Sequence, residues 1–150
     1  MDELKDLYQQ VIVDHSRRPR NFRVIADARK VEGHNPLCGD HLDMYVKMDA
    51  GRIADISFEG SGCAISTASA SLLTEAIKGK TLEEADALFE AFHELVTGLE
   101  PPPDERRRLG KLEAFSGVCD YPTRVKCATL AWHTLRAAMK DEQREKVSTE

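Results

Sequence analysis

Two alternating stretches in the first half of the chain restrict its fold more than any other feature. The apolar side chains at every second position are Leu42, Met44, Val46 and Met48, then Ala54, Ile56 and Phe58. The segment Asp49-Ala50-Gly51 between the two stretches has the composition of a tight turn. A period of two is typical of strands with one buried face, so the pattern predicts an antiparallel hairpin.

Helical periodicity accounts for most of the other sequence. It predicts helices over 2–15, 64–78 and 81–97, and from Pro122 to about residue 142. Thr81-Leu82-Glu83-Glu84 has the form of a capping box at the third of these helix starts. A weaker pattern at 28–34 predicts one further strand.

The composition limits the classes of protein to which the chain can belong. Its length of 150 residues is enough to bury a core and predicts one domain, residues 1–150. The net charge of −5 and a pI near 5.6 indicate no general attraction to nucleic acid or to an anionic membrane. No apolar run is long enough to cross a membrane and no basic secretory signal is present, so we expect a cytoplasmic protein. In that reducing compartment the four cysteines are expected to be metal ligands or reactive thiols.

A change of composition interrupts the second half of the chain. Pro101-Pro102-Pro103 forms a stiff connector, and Asp104 after it is expected to cap a short helix. The apolar side chains of that helix would be Leu109, Leu112 and Phe115. We interpret the region of about 99–115 as an insertion within the single domain, because Cys127 beyond it is needed with the earlier cysteines.

A metal centre is the main functional prediction from the residues themselves. The segment Asn35-Pro36-Leu37-Cys38-Gly39-Asp40 places a cysteine and a carboxylate two residues apart in a tight turn. Cys63 and Cys127 lie at the predicted starts of two helices, and at Cys63 unpaired backbone N–H groups favour a thiolate. Three thiolates and one carboxylate suit tetrahedral zinc, and they also suit an iron-sulfur cluster. The sequence predicts this centre near the protein surface and does not choose between the two.

Two members of this group, and two kinds of residue outside it, have alternative interpretations. Asp40 is a hard, exchangeable ligand that suggests a site built to open, or it only caps its turn. Cys38 is an inert ligand, or its thiolate leaves the metal and attacks a sulfur, as in persulfide transfer. Cys119 is expected to be a small packed hydrophobe rather than a redox thiol. Of the five histidines, only His34 and His41 flank the turn and are worth testing as further ligands.

These motifs together resemble the IscU/NifU family of iron-sulfur cluster assembly proteins. The matching segments are 35–40, 60–66 and 124–128, and the resemblance extends over nearly the whole chain, including the first helix. It implies an α+β fold in which a small antiparallel β-sheet of about three strands packs against several α-helices. This fold agrees with the hairpin and the helices predicted above.

Within the family the chain resembles the SufU branch. Lys126 precedes the last cysteine where IscU scaffolds have histidine, and an inserted segment is typical of the branch. The resemblance implies zinc bound by Cys38, Asp40, Cys63 and Cys127, with Cys38 accepting sulfur from a SufS-type cysteine desulfurase. It also implies a ligand exchange, in which a histidine of the desulfurase replaces Cys38 on the metal while the freed cysteine attacks the persulfide.

Three functions are therefore left open at this point. The first is a zinc-dependent sulfur carrier, and the second is a scaffold that builds an iron-sulfur cluster for downstream assembly proteins. The third is a structural zinc protein that binds partners through its first helix, although that helix is expected to use its apolar face for core packing. Arg124 and Lys126 either offset the negative ligand set and dock the desulfurase, or are solvated helix charges.

Overall fold

The computed structural model of the protein describes residues 2–36, 39–139 and 146–148. The elements are α1 (Asp2–Arg17), β1 (Arg29–Asn35), β2 (Asp40–Asp49), β3 (Arg52–Ser61), α2 (Ala64–Ile77), α3 (Leu82–Val96), α4 (Pro103–Leu109), a 3-10 helix (Gly110–Asp120), α5 (Pro122–Met139) and β4 (Lys146–Ser148). The predicted α+β fold with three antiparallel strands is confirmed by β1, β2 and β3. The short β4 runs parallel to β1 and completes a sheet of order β3-β2-β1-β4.

The hairpin of β2 and β3 gives the sheet two chemically different faces. Its turn places Ala50 at φ 53° and Gly51 at φ 77°, the left-handed pair that a two-residue hairpin turn requires. Side chains such as Met44 point into the core and are fully buried. Asp43 and Glu59 are cross-strand partners on the opposite face, so that face is polar.

A hydrogen-bond chain joins α2 to α5, and α5 packs on β1 and β2. The Ser69 hydroxyl donates to the Ala128 carbonyl at 2.6 Å and accepts the Trp132 indole N–H at 3.2 Å. Ser69, Ala128 and Trp132 are all fully buried. A side chain on Gly33 of β1 would collide with Thr134, so glycine there permits the close approach of α5. The hydrogen bonds of Ser69 therefore hold α2 and α5 at a fixed separation.

The first helix docks on α2 through His15, which is 1% exposed. Its Nδ1 lies 2.7 Å from the Ser71 hydroxyl, which also accepts the backbone N–H of Arg20 at 2.8 Å. Burial lowers the pKa of His15 below its ordinary value, and the charge of Arg20 acts in the same direction. Val11 and Ile12 pack against the core, as expected for the apolar face of this helix.

The capping box at the start of α3 is confirmed. Thr81 accepts the N–H of Glu84, and the Glu84 carboxylate accepts the N–H of Thr81. Helical spacing of the apolar residues after the box predicts one buried face, and this prediction is also confirmed. The members of this face are Ala85, Leu88, Phe89, Phe92 and Val96.

Other local predictions are wrong. Leu7 lies four residues before Val11, a spacing that predicts a place on the buried face of α1, but it is 53% exposed. Asp104 is not the cap of α4, because the helix begins one residue earlier at Pro103, with no side-chain cap. Proline at the first helical position lacks only an N–H that would be unpaired anyway, and its fixed φ already suits a helix. Leu112 and Phe115 are buried but lie in the 3-10 helix that follows α4.

The C-terminal predictions fall partly on the described residues. The polar composition of 143–150 predicts a frayed tail. Instead, 146–148 form β4, and the remainder of the tail lies outside the described residues. The described part of α5 ends at Met139, and the predicted extension to about residue 142 also lies outside them. In the part of the chain that the structure covers, no helix combines the length and apolar character that crossing a bilayer demands.

Candidate metal centre

Asp40, Cys63 and Cys127 come together although they are distant in sequence. One ligand atom from each, a carboxylate oxygen and two thiol sulfurs, lies within 4.8 Å of the other two. Asp40 is the first residue of β2, Cys63 precedes α2, and Cys127 lies in the second turn of α5. The fold therefore brings together three of the four residues predicted as ligands.

The Asp40 carboxylate is fully buried, and its contacts come from the residues just before α2. Its Oδ1 accepts the backbone N–H of Cys63 at 2.8 Å, and its Oδ2 lies 3.8 Å from the Cys63 sulfur. A Cβ on Gly62 would come within 2.6 Å of Oδ1. Glycine is therefore needed to let the backbone approach this carboxylate so closely.

The two thiols differ in exposure. Cys63 is exposed, and its sulfur accepts the N–H of Ser66 at 3.4 Å as the N-cap of α2. Cys127 is 2% exposed, and the side-chain amide of Asn35 lies 3.8 Å from its sulfur. The centre was predicted near the surface, and it opens to solvent through Cys63 while Asp40 and Cys127 are buried.

Asn35 is a residue to which the sequence argument gave no role. It is the last residue of β1, is fully buried, and pairs in register with Asp40 across the two strands. Its amide is a hydrogen-bond donor toward Cys127. The only sequence signal was its place at the start of the 35–40 segment.

The other predicted site residues occupy different positions. Cys38 lies outside the described residues, two positions before Asp40 in the chain. Arg124 is exposed, and its guanidinium lies 4.4 Å from the centre of the Tyr121 ring. Lys126 is half-buried next to Cys127. Neither cation is part of the donor group.

The residues that were less favoured as ligands lie outside this donor group. The half-buried Cys119 has its sulfur 3.5 Å from the Ser116 carbonyl. His41 belongs to a second group with Glu32 and Asp43. His34 is the cross-strand partner of His41, so these two histidines pair with each other.

The donor chemistry of the site fits a thiophilic metal. Two thiols with a buried carboxylate are characteristic of zinc and of iron-sulfur centres, and an imidazole is absent from this three-residue group. A buried carboxylate is costly without a compensating charge or hydrogen bonds, and the Cys63 N–H supplies one bond. The fold and the site together define a small α+β protein in which a buried carboxylate and two thiols come together in a group that could hold a metal.

Comparisons with known proteins assign the chain to a family. Residues 7–128 match the model of the NifU-like N terminal domain. The chain therefore belongs to the family of proteins with a NifU-like N-terminal domain.

Named relatives cover nearly the same length. The chain is 44% identical over 140 residues to the iron-sulfur cluster assembly scaffold protein IscU of Streptococcus pyogenes, and the match covers 93% of this chain and 87% of the relative. It is also 44% identical over 140 residues to the zinc-dependent sulfurtransferase SufU of Bacillus subtilis, covering 93% and 94%. The crystal structure of FiSufU, a Fervidobacterium islandicum protein assigned to the SUF system, is 39% identical with a TM-score of 0.81, covering 87% of this chain and 94% of that one.

Proposed function

We propose that this protein acts in iron-sulfur cluster assembly as a zinc-bound sulfur acceptor, which takes persulfide sulfur from a SufS-type cysteine desulfurase. The observation that carries the proposal is the convergence of Asp40, Cys63 and Cys127, with Cys38 two residues from Asp40 in the chain. The 44% identity to the zinc-dependent sulfurtransferase SufU supports the same function. Lys126 also supports it, because a lysine stands beside Cys127 where the resemblance gives IscU scaffolds a histidine.

The site residues have separate tasks in this proposal. Asp40, Cys63 and Cys127, completed by Cys38, would hold zinc. When bound, zinc supplies positive charge that keeps its thiol ligands deprotonated near neutral pH. The Asn35 amide and the Cys63 N–H donate toward the Cys127 sulfur and the Asp40 carboxylate, and so orient these side chains.

The transfer itself is a thiol exchange at Cys38. Its thiolate attacks the terminal sulfur of the desulfurase persulfide and forms a new S–S bond. The S–S bond of the donor breaks, and the desulfurase cysteine leaves as a thiolate. Cys38 then carries the persulfide, and the proton on the terminal sulfur stays with that sulfur. Charge and oxidation level balance, so the step needs no oxidant or reductant.

The second candidate function is a scaffold on which an iron-sulfur cluster is assembled and passed to downstream assembly proteins. The observation that favours it is the equal identity, 44%, to the scaffold protein IscU of Streptococcus pyogenes. Thiolates with one substituting ligand also suit a cluster as cargo. In that case Asp40 would be the ligand that makes the cluster labile.

One experiment separates the two functions. Protein purified without air is analysed for zinc, iron and acid-labile sulfide, and the turnover of a SufS-type desulfurase is then measured with and without it. About one zinc per chain with no labile sulfide and strong stimulation of the desulfurase supports the sulfur acceptor. Iron with matching sulfide and little stimulation supports the scaffold.

A matched pair of variants tests the acceptor residue. Cys38→Ala should abolish acceptance of labelled persulfide sulfur, whereas Cys119→Ala, which removes a thiol outside the donor group, should retain it. Transfer to the Cys38→Ala variant would contradict the proposal. Loss of transfer with an intact desulfurase complex would argue against a purely structural zinc protein.

A further inference from the structure

A second group of potential metal ligands lies on the polar face of the sheet, beyond the carboxylate-thiol centre. It consists of Glu32 on β1 and of His41 and Asp43 on β2, all half-buried. One ligand atom from each lies within 4.8 Å of the other two. His41 Nε2 is 3.4 Å from Asp43 Oδ1.

The strand register explains why these three side chains meet. Glu32 and Asp43 are direct cross-strand partners, and His41 lies two residues before Asp43 on the same face. Directly opposed like charges destabilise a sheet unless a cation lies between or beside them. The Lys30 ammonium lies 3.9 Å from Asp43 Oδ2, the carboxylate oxygen that does not contact His41.

The Asp43 oxygen next to His41, Oδ1, is buried without a hydrogen bond. Within the described residues, Asp43 Oδ1 has no hydrogen-bond partner although it is shielded from solvent. The Ser57 hydroxyl, in the register position diagonal to Asp43, is also buried without a partner there. Buried polar atoms of native proteins nearly always have a partner, which can be an ordered water or an ion. The face therefore offers unsatisfied oxygen where a cation would supply the missing interaction.

The ligand types define which ion would suit the group. Carboxylates prefer magnesium, calcium and manganese, and imidazole prefers zinc, copper, iron and nickel. An imidazole with two carboxylates and no thiolate therefore favours a divalent first-row transition ion such as Mn²⁺ or Fe²⁺. We propose that Glu32, His41 and Asp43 form a second divalent transition-metal site on the polar face of the sheet.

This site is distinct from the carboxylate-thiol centre. Asp40 and His41 are adjacent in β2, and consecutive strand residues point to opposite faces, so the two groups lie on opposite sides of the sheet. The thiols of the first centre select thiophilic ions, and the second group offers only oxygen and nitrogen. The proposal does not depend on which function the first centre has.

Manganese binding to the whole chain, with the carboxylate-thiol centre in its purified state, tests the site. Mn²⁺ avoids thiolate ligands, and the loss of its free electron paramagnetic resonance signal during titration measures binding. We expect saturable binding below about 1 mM, the weak end of protein sites for divalent cations. In the same titration, nuclear magnetic resonance signals of the His41 ring should broaden before those of His93 and His133.

Matched variants assign the ligands. Asp43→Asn and His41→Gln should each weaken Mn²⁺ binding at least about tenfold. Asp49→Asn makes the same charge change at an exposed end of β2 and should leave the affinity within about twofold. Lys30→Gln, which removes the competing ammonium, should tighten binding.

Absence of saturable Mn²⁺ binding up to about 1 mM would overturn the proposal. The same loss of affinity in Asp43→Asn and Asp49→Asn would also overturn it. If near-ultraviolet circular dichroism shows that a variant is unfolded, the broadening of the histidine signals in the wild-type protein decides whether the site exists. Equal broadening of all histidine signals would then exclude the site.

Discussion

The backbone at Gly62 lies directly against the buried carboxylate of Asp40, with room for a hydrogen atom but not for a methyl group. The contact joins the β3–α2 connection to the start of β2, so it sets the distance between Asp40 and Cys63. Any side chain at position 62 would have to displace the carboxylate or move the start of α2.

Gly62→Ala should therefore weaken zinc binding. We expect the affinity to fall about 10- to 100-fold, as for other changes that misplace a metal ligand without removing it. Competition with a chromophoric chelator measures the effect. Gly117→Ala is the matched control, because a Cβ at Gly117 meets no atom within 4 Å. Equal affinity in the two variants would show that the Gly62 contact does not position Asp40.

Ser69→Ala should destabilise the protein, because it leaves the buried Trp132 N–H without its hydrogen-bond acceptor. The expected loss in the free energy of unfolding is about 1–3 kcal/mol, measured by chemical denaturation. Ser16→Ala removes an exposed hydroxyl from α1 and should change stability by less than about 0.5 kcal/mol. A Ser69→Ala protein as stable as the control would contradict the role of this link between α2 and α5.

Stability should fall as the pH is lowered from about 7.5 to 5.5, a range in which histidine titrates. Burial lowers the pKa of both His15 and His133 in the folded protein. The unfolded chain therefore takes up protons first as the pH falls below the ordinary histidine pKa, and protonation favours unfolding. Above that pKa both states are neutral at these histidines, and their contribution to stability is fully present.

Denaturation of His15→Gln and His133→Gln across this pH range tests the assignment. Each variant should flatten the pH dependence, and the double variant should flatten it further, because the two residues lie on different helices. The quantity to compare is the change in the free energy of unfolding per pH unit, rather than its absolute value. An unchanged slope in the double variant would mean that other groups are responsible.

Charge reversal at Arg124 and Lys126 tests whether these two cations help to dock the proposed desulfurase partner. The double variant Arg124→Glu, Lys126→Glu should slow association with the desulfurase about tenfold or more at low salt, and the effect should shrink at high salt. Its zinc content should be unchanged, since neither cation belongs to the donor group. The double variant Arg107→Glu, Arg108→Glu, which reverses two exposed cations on α4, serves as the control. A similar effect from both changes would indicate only a general response to net charge.

The parts of the fold that follow from local rules could be predicted from the sequence. The period of two defines the hairpin of β2 and β3, and the Thr81 box defines the start of α3. The start of α4 was predicted wrongly because Pro103 can begin a helix without the side-chain cap expected from Asp104. The burial of Leu7 was also predicted wrongly, since spacing along a helix does not reveal which neighbour covers each position.

The candidate site was predictable in its residue types but not in its surroundings. The positions of Asp40, Cys63 and Cys127 at the starts of elements indicated that they could meet. The contact of Asn35 with Cys127 and the closeness of Gly62 to Asp40 depend on how distant segments pack. No local pattern encodes such contacts. The Glu32, His41 and Asp43 group likewise became visible only once the register of β1 and β2 was known.

The three described donors of the carboxylate-thiol centre lie on β2, before α2 and on α5, so they are neighbours only in the folded chain. An ion that needs all of them binds the native state and not the unfolded one, and its concentration then sets part of the stability. At a free concentration 100 times its dissociation constant, such an ion adds about 2.7 kcal/mol. The amount of intact protein in a cell would then follow metal supply, so that scarcity of the ion lowers the protein's abundance as well as its occupancy.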